Sequence, residues 1–115
     1  MLALFGGLDP SSLWQNLKSR PNEICVSTPA RLIEFIKKKA VKINTRCTFL
    51  VIDEADRMLD MGFAPQLRSI TGQIRPDRQV LLFSATFEKK LYSLCYDIIF
   101  KEQDHPVKIM VGQHD

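Results

Sequence analysis

The 115-residue chain has little of what marks a secreted or membrane protein. Its three cysteines, Cys25, Cys47 and Cys95, are an odd count without a C-x-x-C pair, so a disulfide framework is not expected and the thiols read as small buried hydrophobes. Asn16, Asn22 and Asn44 each lack Ser or Thr two positions later, which leaves no N-glycosylation acceptor. No apolar run approaches bilayer length, and the first residues lack a charged region followed by an apolar core. There is no internal repeat, low-complexity tract or long linker. The net charge is only +3, which permits an anionic partner without demanding one. The expectation from these absences is a reducing, intracellular compartment and no membrane contact.

What is present fits one packed domain, with 45% hydrophobic and 25% charged residues. Short apolar runs alternate with helical patterns. Leu2 to Phe5 reads as a strand ending in Gly6-Gly7. Asp9-Pro10 then opens a helix, Asp9 as N-cap and Pro10 in the first turn, with Leu13, Trp14 and Leu17 as its buried stripe. Ile24 to Val26 reads as a second strand running into Ser27-Thr28-Pro29, a second helix start with Thr28 as the cap. Leu32, Ile33 and Ile36 share one face of that helix, and Lys37, Lys38, Lys39 and Lys42 close it, where cations suit the negative end of the dipole.

Thr48 to Ile52 is a third strand, apolar enough to be covered on both faces. Ile74 to Asp77 makes a turn, Gln79 to Phe83 a fourth strand, and Lys89 to Phe100 a helix with Leu91, Leu94, Cys95 and Ile98 in one stripe. Pro106 to Val111 reads as a last strand. Strands alternating with helices predict an α/β fold with a mainly parallel sheet flanked by helices.

The stretch FLVIDEADRMLDMGF, from Phe49 to Phe63, poses a chemical question: three carboxylates crowd the end of an apolar strand. In open α/β sheets that edge is where ligands bind. Two carboxylates about 5 Å apart repel by roughly 3 kcal/mol at an effective dielectric of about 20. A divalent cation among them removes the penalty, and Mg²⁺ favours a few carboxylates together with waters and phosphate oxygens. An apolar strand followed by Asp-Glu is how P-loop ATPases hold the metal and orient the attacking water. Acids at a helix amino terminus are also favoured by the dipole, by about 0.3–1 kcal/mol each, and the Asp-Glu pair alone does not separate the two readings.

The ordered set of segments does. VIDEADRMLDMGF together with LLFSATF resembles the DEAD-box family of ATP-dependent RNA helicases. Asp53-Glu54-Ala55-Asp56 spells that family's namesake motif, and Ser84-Ala85-Thr86 matches its next one at the expected distance. Gly6-Gly7 is similar to its paired glycines, and Thr28-Pro29-Ala30-Arg31 to its Thr-Pro-Gly-Arg element. The likeness implies a hydrolase using ATP and Mg²⁺, with Asp53 and Glu54 serving the metal and the attacking water. It implies that Asp56, Ser84 and Thr86 couple hydrolysis to strand separation. Gly6, Gly7, Thr28, Pro29 and Arg31 are then expected along the RNA backbone, through glycine's close approach, free helix N–H groups and the guanidinium fork. Such contacts do not read sequence.

Taken singly the elements are ordinary. Gly6-Gly7 is a common turn, Ser84 and Thr86 a common helix cap, and the lysine run a solvated helix end. Ala30 stands where the family has Gly; its methyl group crowds a phosphate unless the backbone there is helical, where Ala is favoured by about 1 kcal/mol. His105 and His114 have no partner spacing for a metal, and Trp14 and Phe63 read as core or interface residues.

No G-x-x-x-x-G-K-[ST] loop occurs among the 115 residues, so nothing here cradles the β- and γ-phosphates. The resemblance therefore implies that residues 1–115 are the carboxyl-terminal portion of the first RecA-like (P-loop NTPase) lobe, lacking the P-loop strand. That strand belongs between the Ser84 strand and the last one, and its absence is expected to leave backbone groups unpaired and the isolated chain marginally stable and inactive. The alternative is a non-catalytic product that binds RNA or a helicase partner weakly. RPDRQVLLFSATF looks most like the nuclear pre-mRNA splicing members. Protein partners of an RNP or splicing complex, and the nucleus rather than the cytoplasm, are the expectation that follows.

Overall fold

The computed structural model describes residues 2–4, 11, 24–39, 41–100 and 106–112. The elements in order are β1 (Leu2–Leu4), β2 (Cys25–Ser27), α1 (Pro29–Lys37), α2 (Ile43–Arg46), β3 (Phe49–Ile52), α3 (Ala55–Asp60), α4 (Ala64–Gln73), β4 (Gln79–Leu82) and α5 (Lys89–Cys95), which runs on as a π-helical turn, Tyr96–Phe100. The fold is α/β, as expected, and the strand pairs are parallel.

Those pairs form two separate ladders, β1 with β2 and β3 with β4. In the second, Phe49, Leu50, Val51 and Ile52 lie opposite Gln79, Val80, Leu81 and Leu82. Backbone bonds extend it at both ends, from Gln79 N–H to the Thr48 carbonyl (2.9 Å) and from Phe83 N–H to the Ile52 carbonyl (2.8 Å). Parallel neighbours need a crossover, and α3 with α4 supplies the one between β3 and β4.

Alternation along β3 and β4 decides where the core sits. Ile52 and Val80 are buried, with Leu50 and Leu82 packed beside them. Against this face lie Leu67, Ile70 and Ile74 around α4, Leu91, Leu94, Cys95 and Ile98 from α5 and its extension, and Leu32, Ile33 and Ile36 from α1. The stripe expected between Leu91 and Ile98 is thus the buried one. Thr71, the one buried polar side chain of this core among the described residues, donates from Oγ1 to the Leu67 carbonyl at 3.0 Å.

The opposite face corrects an expectation. Phe49 is 56% and Val51 50% exposed, so β3 is covered on one side only. Every described helix joins the same core, and no described element lies over the other face. Cys25 departs from its reading too. It is exposed, Cys47 is half-buried, and only Cys95 is buried. The last predicted strand is not one: residues 106–111 form no ladder, because a strand needs a partner and the described residues offer none.

Three helices, α2, α3 and α4, are not among the elements expected from the sequence. Lys37 to Lys39 do close α1, and Lys39 turns the chain with φ +58°. Phe63 is half-buried. The Asp9 helix, with Leu13, Trp14 and Leu17, lies outside the described residues apart from Ser11, which is helical, and His105 and His114 lie outside them as well. Among the described residues no helix is long and apolar enough to cross a membrane.

Candidate active site at the carboxyl edge of the strands

β3 ends at buried Ile52, and the chain turns sharply over the next three residues. Asp53 is exposed, and its Oδ1 accepts the Glu54 N–H at 2.9 Å. Glu54 sits in the left-handed region, φ +53° and ψ +45°, as the residue preceding α3. That conformation costs a non-glycine residue about 1–2 kcal/mol. The turn is held from the other strand: Ala55, fully buried, donates its N–H to the Phe83 carbonyl at 3.0 Å. The exposed Glu54 carboxylate reaches Arg57 Nη1 only at 3.5 Å, a weak surface contact.

Asp56, one turn on, closes the site onto the segment after β4. Its Oδ2 accepts from Thr86 Oγ1 (3.0 Å) and from the Thr86 N–H (3.3 Å), while Oδ1 accepts the Arg57 N–H at 3.0 Å. Ser84 Oγ donates to the Thr86 carbonyl at 2.7 Å, which folds the Ser84-Ala85-Thr86 segment on itself. Desolvation pushes the Asp56 carboxyl up. The Thr86 hydroxyl, the Arg57 amide, the Ser84 hydroxyl and the Thr86 amide outweigh it and hold Asp56 below the ordinary aspartate value. The carboxylate is therefore ionised at neutral pH and committed to its donors. Asp53 Oδ2 and Glu54 Oε1 have no such commitment among the described residues.

The turn after β2 shares this edge, since Ser27 and Pro29 line one small cavity with Ile52 and Met58. That cavity, about 60 Å³ and mainly apolar, is a packing gap between the end of β2, β3 and the helices over them, and is too small for a nucleotide. Thr28 has extended backbone (φ −73°, ψ 154°) before α1, but its hydroxyl makes no capping bond, which corrects its reading as a cap. Pro29 is buried in the first turn. Ala30 is helical and exposed, so its methyl group meets no crowding among the described residues. Arg31 Nη1 is engaged with Glu34 Oε2 at 2.9 Å, with the arginine side chain only 17% exposed. A phosphate approaching Arg31 has to share it with that carboxylate. Gly6 and Gly7 lie outside the described residues.

The structure thus brings Asp53, Glu54, Asp56, Ser84 and Thr86 to one edge and joins Asp56 directly to Thr86. Reading the sequence missed the Ala55–Phe83 bond, which is backbone to backbone and carries no side-chain signal. Among the described residues no three His, Cys, Asp or Glu gather to hold a metal by themselves. Two exposed hard-oxygen carboxylates, each with one oxygen uncommitted among the described residues, fit Mg²⁺, which keeps its waters and takes remaining ligands from phosphate.

The described residues form a parallel α/β unit whose acidic strand-end turn is tied to the segment after the next strand, an architecture of RecA-like class. A sequence profile described as DEAD/DEAH box helicase matches residues 1–94. The chain is 50% identical over 111 residues to a rice (Oryza sativa subsp. japonica) protein named DEAD-box ATP-dependent RNA helicase 24, covering 96% of this chain and 14% of that protein. It is 48% identical over 113 residues to human ATP-dependent RNA helicase DDX42, covering 96% of this chain and 11% of the human one. A solved helicase structure from Sulfolobus tokodaii, titled a hypothetical ATP-dependent RNA helicase, superposes with a TM-score of 0.74 at 28% identity over 84% of this chain and 28% of that one. A DEAD box protein from Methanococcus jannaschii gives 0.75 at 29% identity, over 84% of this chain and 26% of its own. The chain belongs to the DEAD/DEAH box helicase family, and it spans about a seventh or less of the length of these curated relatives (no part of the family's G-x-x-x-x-G-K-[ST] loop is in its sequence).

Proposed function

We propose that residues 1–115 serve as the carboxyl-terminal portion of the first RecA-like lobe of an ATP-dependent RNA helicase, contributing the metal and coupling residues of RNA-stimulated ATP hydrolysis. The observation that carries this reading is the Asp56–Thr86 bridge, because it links the acidic turn to the Ser84-Ala85-Thr86 segment without using the Asp53 or Glu54 carboxylates. Those two remain available to Mg²⁺, which when bound with ATP offsets the negative charge of the phosphates and of the turn. Asp53 holds the metal side, directly or through water. Glu54, held outward by its left-handed backbone, orients the attacking water and takes its proton. Asp56 keeps Thr86 and Ser84 in register with that turn, so a shift at the nucleotide moves both strand ends.

Thr28, Pro29 and the free N–H groups at the start of α1 meet the RNA backbone, with Arg31 sharing its charge between Glu34 and a phosphate and Gly6-Gly7 adding a close backbone approach. Recognition is then salt-dependent and indifferent to sequence. Partners in an RNP or splicing complex and a nuclear site of action complete the reading, supported by the likeness of RPDRQVLLFSATF to the splicing members of the family.

The test is a chimera in which this chain replaces the matching region of the rice relative. It is expected to retain RNA-stimulated phosphate release, and the chain alone to show none. Changing both Asp53→Ala and Glu54→Ala in the chimera is expected to lower turnover by ~10²–10⁴-fold, the range of a lost general base. A folded chimera whose rate ignores that double change overturns the assignment.

A further inference from the structure

Arg31 occupies a costly place. It lies in the first turn of α1, where the positive end of the helix dipole disfavours a cation, and most of its side chain is buried. A guanidinium so placed needs an acceptor. Among the described residues it has one, Glu34 Oε2, which accepts from Nη1 at 2.9 Å. The other oxygen of that carboxylate, Oε1, accepts from Lys38 Nζ at 3.1 Å. Arg31, Glu34 and Lys38 thus form a row along one face of the helix. The two halves of the row are unequal. Glu34 precedes Lys38 by four residues, the order that agrees with the dipole, whereas Arg31 precedes Glu34, the reverse order. Arg31 is the nearer cation, yet the Lys38 hydrogen bond does most to hold the Glu34 carboxyl below its ordinary value, ahead of the Arg31 charge. A carboxylate with a second partner can release the first without being left unpaired.

We propose that Glu34 is a positioning residue of the RNA grip: it holds back the Arg31 guanidinium, so that a backbone phosphate has to compete for it, and Lys38 keeps the carboxylate when the phosphate succeeds. The inference rests on the reading that Arg31 meets the RNA backbone. Glu34 touches no RNA itself. It acts through Arg31, and because carboxylate and phosphate are both matched to the same guanidinium fork, each lowers the hold of the other. The grip is thereby kept below its full strength, which favours release of the strand.

The experiment measures the affinity of the rice-relative chimera for a labelled oligouridylate, with Mg²⁺ and a non-hydrolysable ATP analogue present, across about 50–200 mM salt. Glu34→Gln keeps the shape of the side chain and removes its charge. It is expected to tighten binding about two- to fivefold, the equivalent of one partly exposed ion pair undone, and to steepen the log–log salt dependence by up to about 0.7, one further phosphate contact on a single strand. Glu34→Ala, a second neutral side chain and a good helix former, should give the same gain. Arg31→Gln should weaken binding and flatten the salt dependence, and in that background Glu34→Gln should lose most of its effect. Unchanged or weaker binding of both Glu34 variants, with Arg31→Gln still weakening it, overturns the proposal and leaves the Arg31 contact standing. An equal gain from Glu34→Gln in both backgrounds assigns the carboxylate to general repulsion of RNA and overturns the proposal too. Unchanged affinity and salt dependence of Arg31→Gln overturns the contact itself, and the proposal with it.

Discussion

Two strands hand over to helices at the same edge of this molecule, and the two turns are built differently. After β3, the chain is fastened by Ala55 to the Phe83 carbonyl and by Asp56 to both donor groups of Thr86, and it stands on Ile52, which is 4% exposed. After β2, Ser27 Oγ donates to the neighbouring Thr28 carbonyl, Thr28 makes no cap, and Val26 below it is 55% exposed. One turn is set before any ligand arrives. The other presents helix N–H groups that no side chain caps among the described residues. Hydrolysis chemistry needs preorganised groups, whereas a sequence-blind grip on a flexible backbone does not. The difference matches the division of labour proposed for the two turns.

The comparison breaks first, and most visibly, at the residues beneath the turns. Ile52→Ala is expected to destabilise the fold by about 2–5 kcal/mol, the usual range for truncating a buried aliphatic side chain. Val26→Ala should stay within about 0.5 kcal/mol, as at other surface positions. Equilibrium denaturation of the two variants measures both, and similar losses would show that the β2 turn is as well founded as the β3 turn.

Acid separates the turns next. The folded Asp56 carboxyl titrates below its ordinary value, so the unfolded chain takes up its proton first, near pH 3.9. The contribution of the Asp56–Thr86 tie is therefore complete above that pH and drains away as the pH falls through the lower folded value. Amide exchange at Thr86, corrected for intrinsic rates, should be flat from about pH 7 to 5 and rise only below about 4. A transition centred above 5 contradicts the direction of the shift. Glu34 and Asp77 are lowered as well, by the Lys38 hydrogen bond first for one and the Arg75 hydrogen bond first for the other, so global acid unfolding has to be followed separately.

The smallest expected effect is at Thr28. With no capping bond to lose, Thr28→Ala should change stability by less than about 0.5 kcal/mol, where a working cap costs about 1 kcal/mol. A larger loss in thermal or chemical denaturation would mean that the hydroxyl caps α1 in solution, and the contrast between the turns would narrow.

Much of this was legible in the sequence, for identifiable reasons. Acids directly after FLVI have few physical explanations, and Ser84-Ala85-Thr86 at the next strand end narrowed them. The Leu91, Leu94, Cys95 and Ile98 stripe follows from helical spacing alone. The signal for α4 was present but unread: Pro65 in the first turn, then Leu67, Ile70, Thr71 and Ile74 spaced as one helical face, with Gly62 at φ +83° ending the preceding turn. What could not be read is relational. Phe49 and Val51 look like core in any strand, and only the fold shows that every described helix went to the other side. Residues 106–111 have strand composition, yet a strand is a property of two segments. Arg31 looks like a phosphate grip until Glu34 is found against it.

Glu54 sets two demands on one position against each other. Its backbone, φ +53°, is one that glycine enters freely, so selection for abundance alone favours Gly at 54, whereas the role in turnover proposed above calls for the acid. A mutational library in the rice-relative chimera, scored separately for expression and for enzymatic output, should split at this codon, with Gly enriched on one axis and depleted on the other, and the width of that split would gauge how far the carboxylate is retained against the chain's own conformational preference.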